Sequence, residues 1–88
     1  MTKSEFLKLS MPEQGMELMS NGKHLTQLRR GDFLLNLYFV SDFFVEVYYS
    51  VKSNAITKIE IVTDLAKIDQ YIDANAKENK LEGKVSLN

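Results

Sequence analysis

From Phe33 to Val51 the chain is almost continuously apolar or aromatic, broken at Ser41-Asp42 and by isolated polar positions at Asn36, Glu46 and Ser50. The segments FLLNLYFV and FFVEVYYSV on either side of that break hold four of the five phenylalanines and three of the four tyrosines. Aromatic and β-branched residues in short runs bounded by turn residues suit a pleated, half-buried surface, so the break predicts a β-hairpin. Before it the odd positions Phe33, Leu35, Leu37 and Phe39 are apolar, and the even ones include Asn36 and Tyr38. After it Phe43, Val45, Val47, Tyr49 and Val51 are apolar, and the even ones include Glu46 and Ser50. A two-residue loop would set Leu37 against Glu46 and mix the faces. A three-residue loop, Ser41-Asp42-Phe43, sets Leu37 against Val47 and Leu35 against Tyr49. Because a one-residue slip turns every side chain to the other face, the pattern predicts the odd-length loop or an equivalent bulge.

The same test applies downstream. A loop of Ser53 to Ala55 sets Tyr49 against Ile59 and Val47 against Ile61, with Asn54 tolerating left-handed backbone, and leaves a fourth strand from Ile56 to Val62. Upstream, Gly31-Asp32 has glycine first, as a type II′ turn requires, so Lys23 to Arg30 is expected as a strand pairing Arg30 with Phe33 and Leu28 with Leu35.

Helical signals flank the strands. Thr2 with Glu5 and Ser10 with Glu13 have capping-box spacing, and Pro12 sits in a first turn, where its missing N–H costs nothing. These predict helices from Lys3 to Leu9 and from Met11 to Asn21, the second closed by Gly22 as the residue after the cap. It presents Met11, Met16, Leu18 and Met19, and with Gly15 its packing is expected to be adaptable. Thr63 or Asp64 caps a last helix whose Leu65, Ile68, Tyr71 and Ile72 form one stripe.

The expected fold is therefore α+β: two short N-terminal helices, a four-stranded antiparallel meander and one C-terminal amphipathic helix. One domain spans 1–88, with the helical pair at 3–21, the sheet at 23–62, the helix at 64–77 and a frayed tail at 78–88, Leu81 docking back. The inner sheet face carries Phe33, Leu35, Leu37, Phe39, Val45, Val47, Tyr49, Ile59 and Ile61. The outer face carries Asn36, Tyr38, Phe44, Glu46 and Tyr48 among others, setting Tyr38 beside Glu46 and Asn36 beside Tyr48. Those five are the candidate binding residues, because tyrosine offers contact area at low entropic cost together with a hydroxyl. The competing reading is that a helix covers this face and the tyrosines are filling. A covered Glu46 would be partly desolvated.

Composition narrows the function classes. The 88 residues contain no cysteine and carry 11 basic and 12 acidic side chains for a net charge of −1. Disulfides and thiolate zinc sites are thereby excluded. The interspersed charge lacks the footprint of a nucleic-acid or anionic-membrane binder, and Tyr38 with Tyr48 as a base-stacking pair lacks the surrounding positive charge. Glu5, Lys8 and Glu13 interrupt any leader-like apolar run, so a cytoplasmic protein is expected. His24 is the only histidine, and there is no metal-binding spacing, nucleophile elbow or phosphate-cradling glycine loop. No catalytic residue, metal or cofactor is assigned. Arg29 and Arg30 form a small basic spot, and Arg30-Gly31-Asp32 reads as a turn rather than an adhesion signal. Lys23 and Lys58 suit edge-strand protection.

The string Phe6-Leu7-Lys8-Leu9-Ser10, a glycine-ended helix, Val45-Glu46-Val47-Tyr48-Tyr49 and Lys58-Ile59 together resemble a group of small uncharacterised bacterial α+β proteins. The resemblance implies a compact bacterial cytoplasmic domain and carries over no functional residue. The expected function is a non-enzymatic module that binds another protein, or itself as a homodimer, through the outer sheet face or an edge strand. The alternative is a small-molecule binder or minor enzyme with a pocket lined by Tyr38, Glu46 and Tyr48.

Overall fold

A computed structural model describes residues 1–74. Helices α1 (Lys3–Lys8) and α2 (Met11–Asn21) lead into strands β1 (Lys23–Arg30), β2 (Phe33–Val40), β3 (Phe43–Ser50) and β4 (Ala55–Ile61). A third helix, α3, runs from 66 to 74, where the described residues end. The sheet is an antiparallel meander in the order β1-β2-β3-β4, and the protein is α+β as its pattern predicts. The remainder of the expected 64–77 helix, the tail at 78–88 and the docking of Leu81 lie outside the described residues.

Both capping boxes form: Thr2 and Ser10 accept from the backbone N–H of Glu5 and Glu13, whose carboxylates reach back to the cap N–H groups. Gly22 does close α2, but with φ −88° rather than left-handed backbone. Its glycine is required for another reason, since a Cβ there would lie 2.6 Å from the Leu18 carbonyl oxygen. The pairings Arg30–Phe33 and Leu28–Leu35 are as expected. Gly31 has a φ of 57° at the first loop position, the conformation that glycine adopts without steric cost.

The β2–β3 register differs from expectation. Ser41, with φ 55°, opens a two-residue loop that sets Leu37 against Glu46, Leu35 against Tyr48 and Asn36 against Val47. The odd positions of β2 therefore share a face with the even positions of β3. The expected inner and outer faces are each divided between the two sides of the sheet. The physical reason is that both sides are covered. Phe6 and Leu18 of the N-terminal helices pack with Val40, Phe43, Val45, Val47 and Ile61 on one side. On the other, Tyr71 and Ile68 of α3 pack with Leu35, Leu37, Phe44, Tyr48 and Val62. With an apolar cover on each side, polar–apolar alternation no longer selects the register, and the tight loop decides it.

In the β3–β4 hairpin Val47 opposes Ile59 and Val45 opposes Ile61, two residues from the expected pairing, after a loop in which Asn54 has φ 55°. A register shift follows Tyr48, leaving Thr57 out of the ladder on an edge strand, where such irregularity hinders pairing with another sheet. The first core is centred on Phe6, fully buried and edge-on to Phe43 at 5.8 Å. Gln14, also buried, donates its amide to the Phe6 carbonyl at 3.0 Å, beside the capping bond from the Leu9 N–H at 3.1 Å, and so ties α2 to the end of α1. Only part of the α3 stripe is buried: Ile68 and Tyr71 pack on the sheet, whereas Leu65 and Ile72 are exposed.

Candidate functional site

The five candidate residues do not share a surface. Glu46, Phe44 and Tyr48 lie under α3, whereas Asn36 and Tyr38 lie on the side of the N-terminal helices. Tyr38, Glu46 and Tyr48 therefore do not line one pocket, because the sheet runs between them.

Beneath α3 the alternation of β3 delivers Glu46 into an apolar setting, where its side chain is 4% exposed. Three groups converge on its carboxylate. The Tyr71 hydroxyl donates to Oε2 at 2.9 Å, the Lys67 ammonium to Oε1 at 3.2 Å, and the Tyr48 hydroxyl approaches Oε1 at 3.5 Å. Residues 67 and 71 are one helical turn apart, so α3 presents both donors on the face it docks. Burial, followed by the bond to Glu46, pushes the Tyr71 phenol well above its ordinary value of 10.0. The bond to Glu46 likewise raises Lys67 above 10.5. Lys67 also reaches Glu60 at 3.4 Å, and Glu60 pairs with Lys58 at 3.0 Å. The Lys58 bond holds the Glu60 carboxyl below 4.5. Lys58 sits over the Tyr48 ring, 4.3 Å from its centroid. No buried side-chain nitrogen or oxygen among the described residues lacks a partner. These groups use their polar atoms on one another. The cluster acts as a polar clamp that fixes α3 to the sheet.

On the opposite side, Asn36 Oδ1 accepts from Gln27 Nε2 at 2.9 Å and lies 3.0 Å from His24 Nε2. The His24 ring stands edge-on to Tyr38 at 5.1 Å. His24 is thus held as part of a cross-strand polar ladder between β1 and β2. No group of three or more potential metal ligands occurs among the described residues, and no helix among them is long and apolar enough to cross a membrane.

Beyond this ladder the sheet face opens into a cleft of about 130 Å³ beside α2. Helix α2 contributes Gly15, Leu18 and Met19, and the sheet contributes Tyr38, Val47, Ile56 and Ile59. Leu18 and Val47 are core residues that hold the cleft in shape, while Met19 and Ile56 stand at its rim, 85% and 42% exposed. Met16, one turn from Met19 and also exposed, borders a second hollow with Leu9, Glu13 and Glu17 on the other flank of α2. Of the five candidates only Tyr38 lines the apolar cleft. The methionines and Gly15 were visible in the sequence as an adaptable helix. Their meeting with Ile56 and Ile59 was not, because it depends on how α2 crosses the sheet. Comparison of the chain with protein-family models, with curated proteins and with solved structures finds no match in any of the three.

Proposed function

We propose that this chain is a non-enzymatic protein-interaction domain whose contact surface is the cleft between α2 and strands β2, β3 and β4. The observation that carries this reading is the cleft itself, a pre-formed apolar concavity bordered by the exposed side chains of Met19 and Ile56. Exposed apolar groups that converge on a concavity mark binding surfaces more strongly than the same residues scattered singly. Methionine suits such a place, because its unbranched, polarizable side chain adapts to the shape presented to it. The polar cluster at Glu46 favours no enzymatic reading, since its groups are committed to holding α3. The occupant is a protein segment, and a cytoplasmic setting belongs to the same proposal.

The test is binding of Nile red, a neutral apolar dye, followed by fluorescence. The native protein should enhance the dye's emission. Met19→Gln or Ile56→Gln should remove most of that enhancement without moving the melting temperature. Dye binding that neither substitution weakens, or no enhancement at all, would take the cleft out of the account.

A further inference from the structure

Charge is divided unevenly over the sheet. Strands β1 and β2 carry Lys23, Arg29 and Arg30 but no aspartate or glutamate, whereas Glu46, Lys58 and Glu60 belong to β3 and β4. All three cations of the first pair stand on β1, an edge of the sheet that pairs with β2 alone, and all three are exposed. None forms an ion pair among the described residues, where the ion pairs belong to Lys58 and Lys67. Arg29 Nε donates to the Gly31 carbonyl at 2.8 Å, and Arg30 Nη2 donates to Gln70 Oε1 at 3.1 Å. Both acceptors are neutral, so each guanidinium is held in place with its charge uncompensated and with donors left over. Asp73 of α3 borders the same hollow as the two arginines without pairing with either.

A strand paired on one side presents a row of backbone N–H and C=O groups on the other, which an extended segment can continue. The two edges of this sheet differ as templates. Strand β4 is interrupted at Thr57, which lies outside its ladder. Strand β1 pairs with β2 without a break from Thr26 to Arg30, past a shift at Leu25. Cations on such an edge guard it against a like strand. Pairing β1 with β1 of a second copy would gather Lys23, Arg29 and Arg30 of both chains, with no carboxylate from either strand. The same charges favour an extended segment that brings carboxylates, because unlike charges across a strand pair attract and like charges repel.

We infer that the β1 edge is a second contact surface, which takes an acidic extended segment of another protein as a fifth strand, two neighbouring carboxylates lying beside Arg29 and Arg30. This surface is separate from the cleft and stands whether or not the cleft binds. The probe is a short end-blocked peptide of alternating valine and threonine with a glutamate pair at each end, and its counterpart carries lysine in place of glutamate. Each is titrated into the full chain and followed by its backbone amide NMR signals. The glutamate peptide should shift the β1 amides and slow their hydrogen exchange, leaving β4 unmoved. The lysine peptide should shift neither strand. Affinity should fall about tenfold or more when Arg29→Glu and Arg30→Glu are combined. A thermal melt checks that this variant is folded, and Lys23→Glu provides a second one on the same strand. Two N-methylated forms of the glutamate peptide, each blocked at one set of alternate residues, separate strand addition from plain attraction, because only one set faces β1. One form should bind like the parent and the other should not. Equal binding by both forms would overturn strand addition, and equal binding by the lysine peptide would overturn the acidic partner. An oligothymidylate that shifts β1 at lower concentration than the peptide would make the partner a nucleic acid and overturn the inference. So would β1 signals that move on dilution of the protein alone, which would make the occupant a second copy. Slow exchange throughout β1 in the free chain would show an edge already covered, with the same consequence.

Discussion

Glu46 and Tyr71 are 25 residues apart in sequence and meet only if α3 lies on the sheet, so their energetic coupling measures that docking. In Glu46→Leu the carboxylate is lost and the Tyr71 hydroxyl, in a residue 2% exposed, has no acceptor. An orphaned buried donor costs about 1–3 kcal/mol. Lys67 adds little to the loss, because its side chain is 35% exposed and can turn into water. The expected loss is therefore about 2 kcal/mol. Tyr71→Phe removes one bond to a buried carboxylate and should cost about 1.5 kcal/mol, in line with hydrogen bonds to charged groups. The double variant has neither the orphaned hydroxyl nor the buried charge. It should lie within about 1 kcal/mol of the native protein, as apolar replacements of buried polar pairs commonly do. The coupling is then about 2.5 kcal/mol or more, read from urea unfolding followed by circular dichroism at constant m value. Losses that simply add to within about 0.5 kcal/mol would mean that the two side chains do not touch. The placement of α3 would then be wrong.

Other expected outcomes follow from single contacts. Val47→Ala, in a residue 7% exposed within the first core, should cost about 2 kcal/mol in the same assay, and no loss would place Val47 outside that core. Gly22→Ala forces a Cβ to within 2.6 Å of the Leu18 carbonyl and should destabilise by about 1–3 kcal/mol, whereas a neutral result would mean that α2 ends differently. Stability should be level near neutral pH and fall at both ends. The cap bonds hold Glu5 and Glu13 below their ordinary value of 4.5, so folding favours the ionised forms, and that contribution is lost as pH drops through and below 4.5. Lys67 and Tyr71 are raised, so folding favours their protonated forms, and that contribution is present below pH 10.0 and lost as pH rises above it. Urea midpoints that did not fall above pH 10.0 would contradict the Glu46 cluster.

The elements were legible in the sequence where local chemistry determines them. Thr2 with Glu5, Ser10 with Glu13 and Gly31-Asp32 act through neighbours a few residues away, and each behaves as its spacing predicts. The β2–β3 register was not legible, because polar–apolar alternation reports register only where one face of the sheet meets water. Glu46 looked like a mark of that wet face. In the structure its carboxylate is satisfied by Tyr71 and Lys67 of α3, so a polar residue in an apolar strand signalled a buried partner instead. Tyr71 falls in an apolar stripe of the sequence, and nothing in the spacing of Lys67 distinguishes it from other surface lysines. The cleft was half legible: Gly15 and the methionines stood out, but the side of the sheet that α2 covers depends on tertiary packing.

The central claim is that the cleft lined by Gly15 stands open to a partner and is not filled by the fold, and the stability of Gly15→Ala tests it most directly. The account predicts a gain of about 0.5–1 kcal/mol, the ordinary advantage of alanine over glycine within a helix, because the added methyl enters open space. A loss of stability on that substitution would show that the chain itself requires glycine there and would contradict an open cleft beside α2.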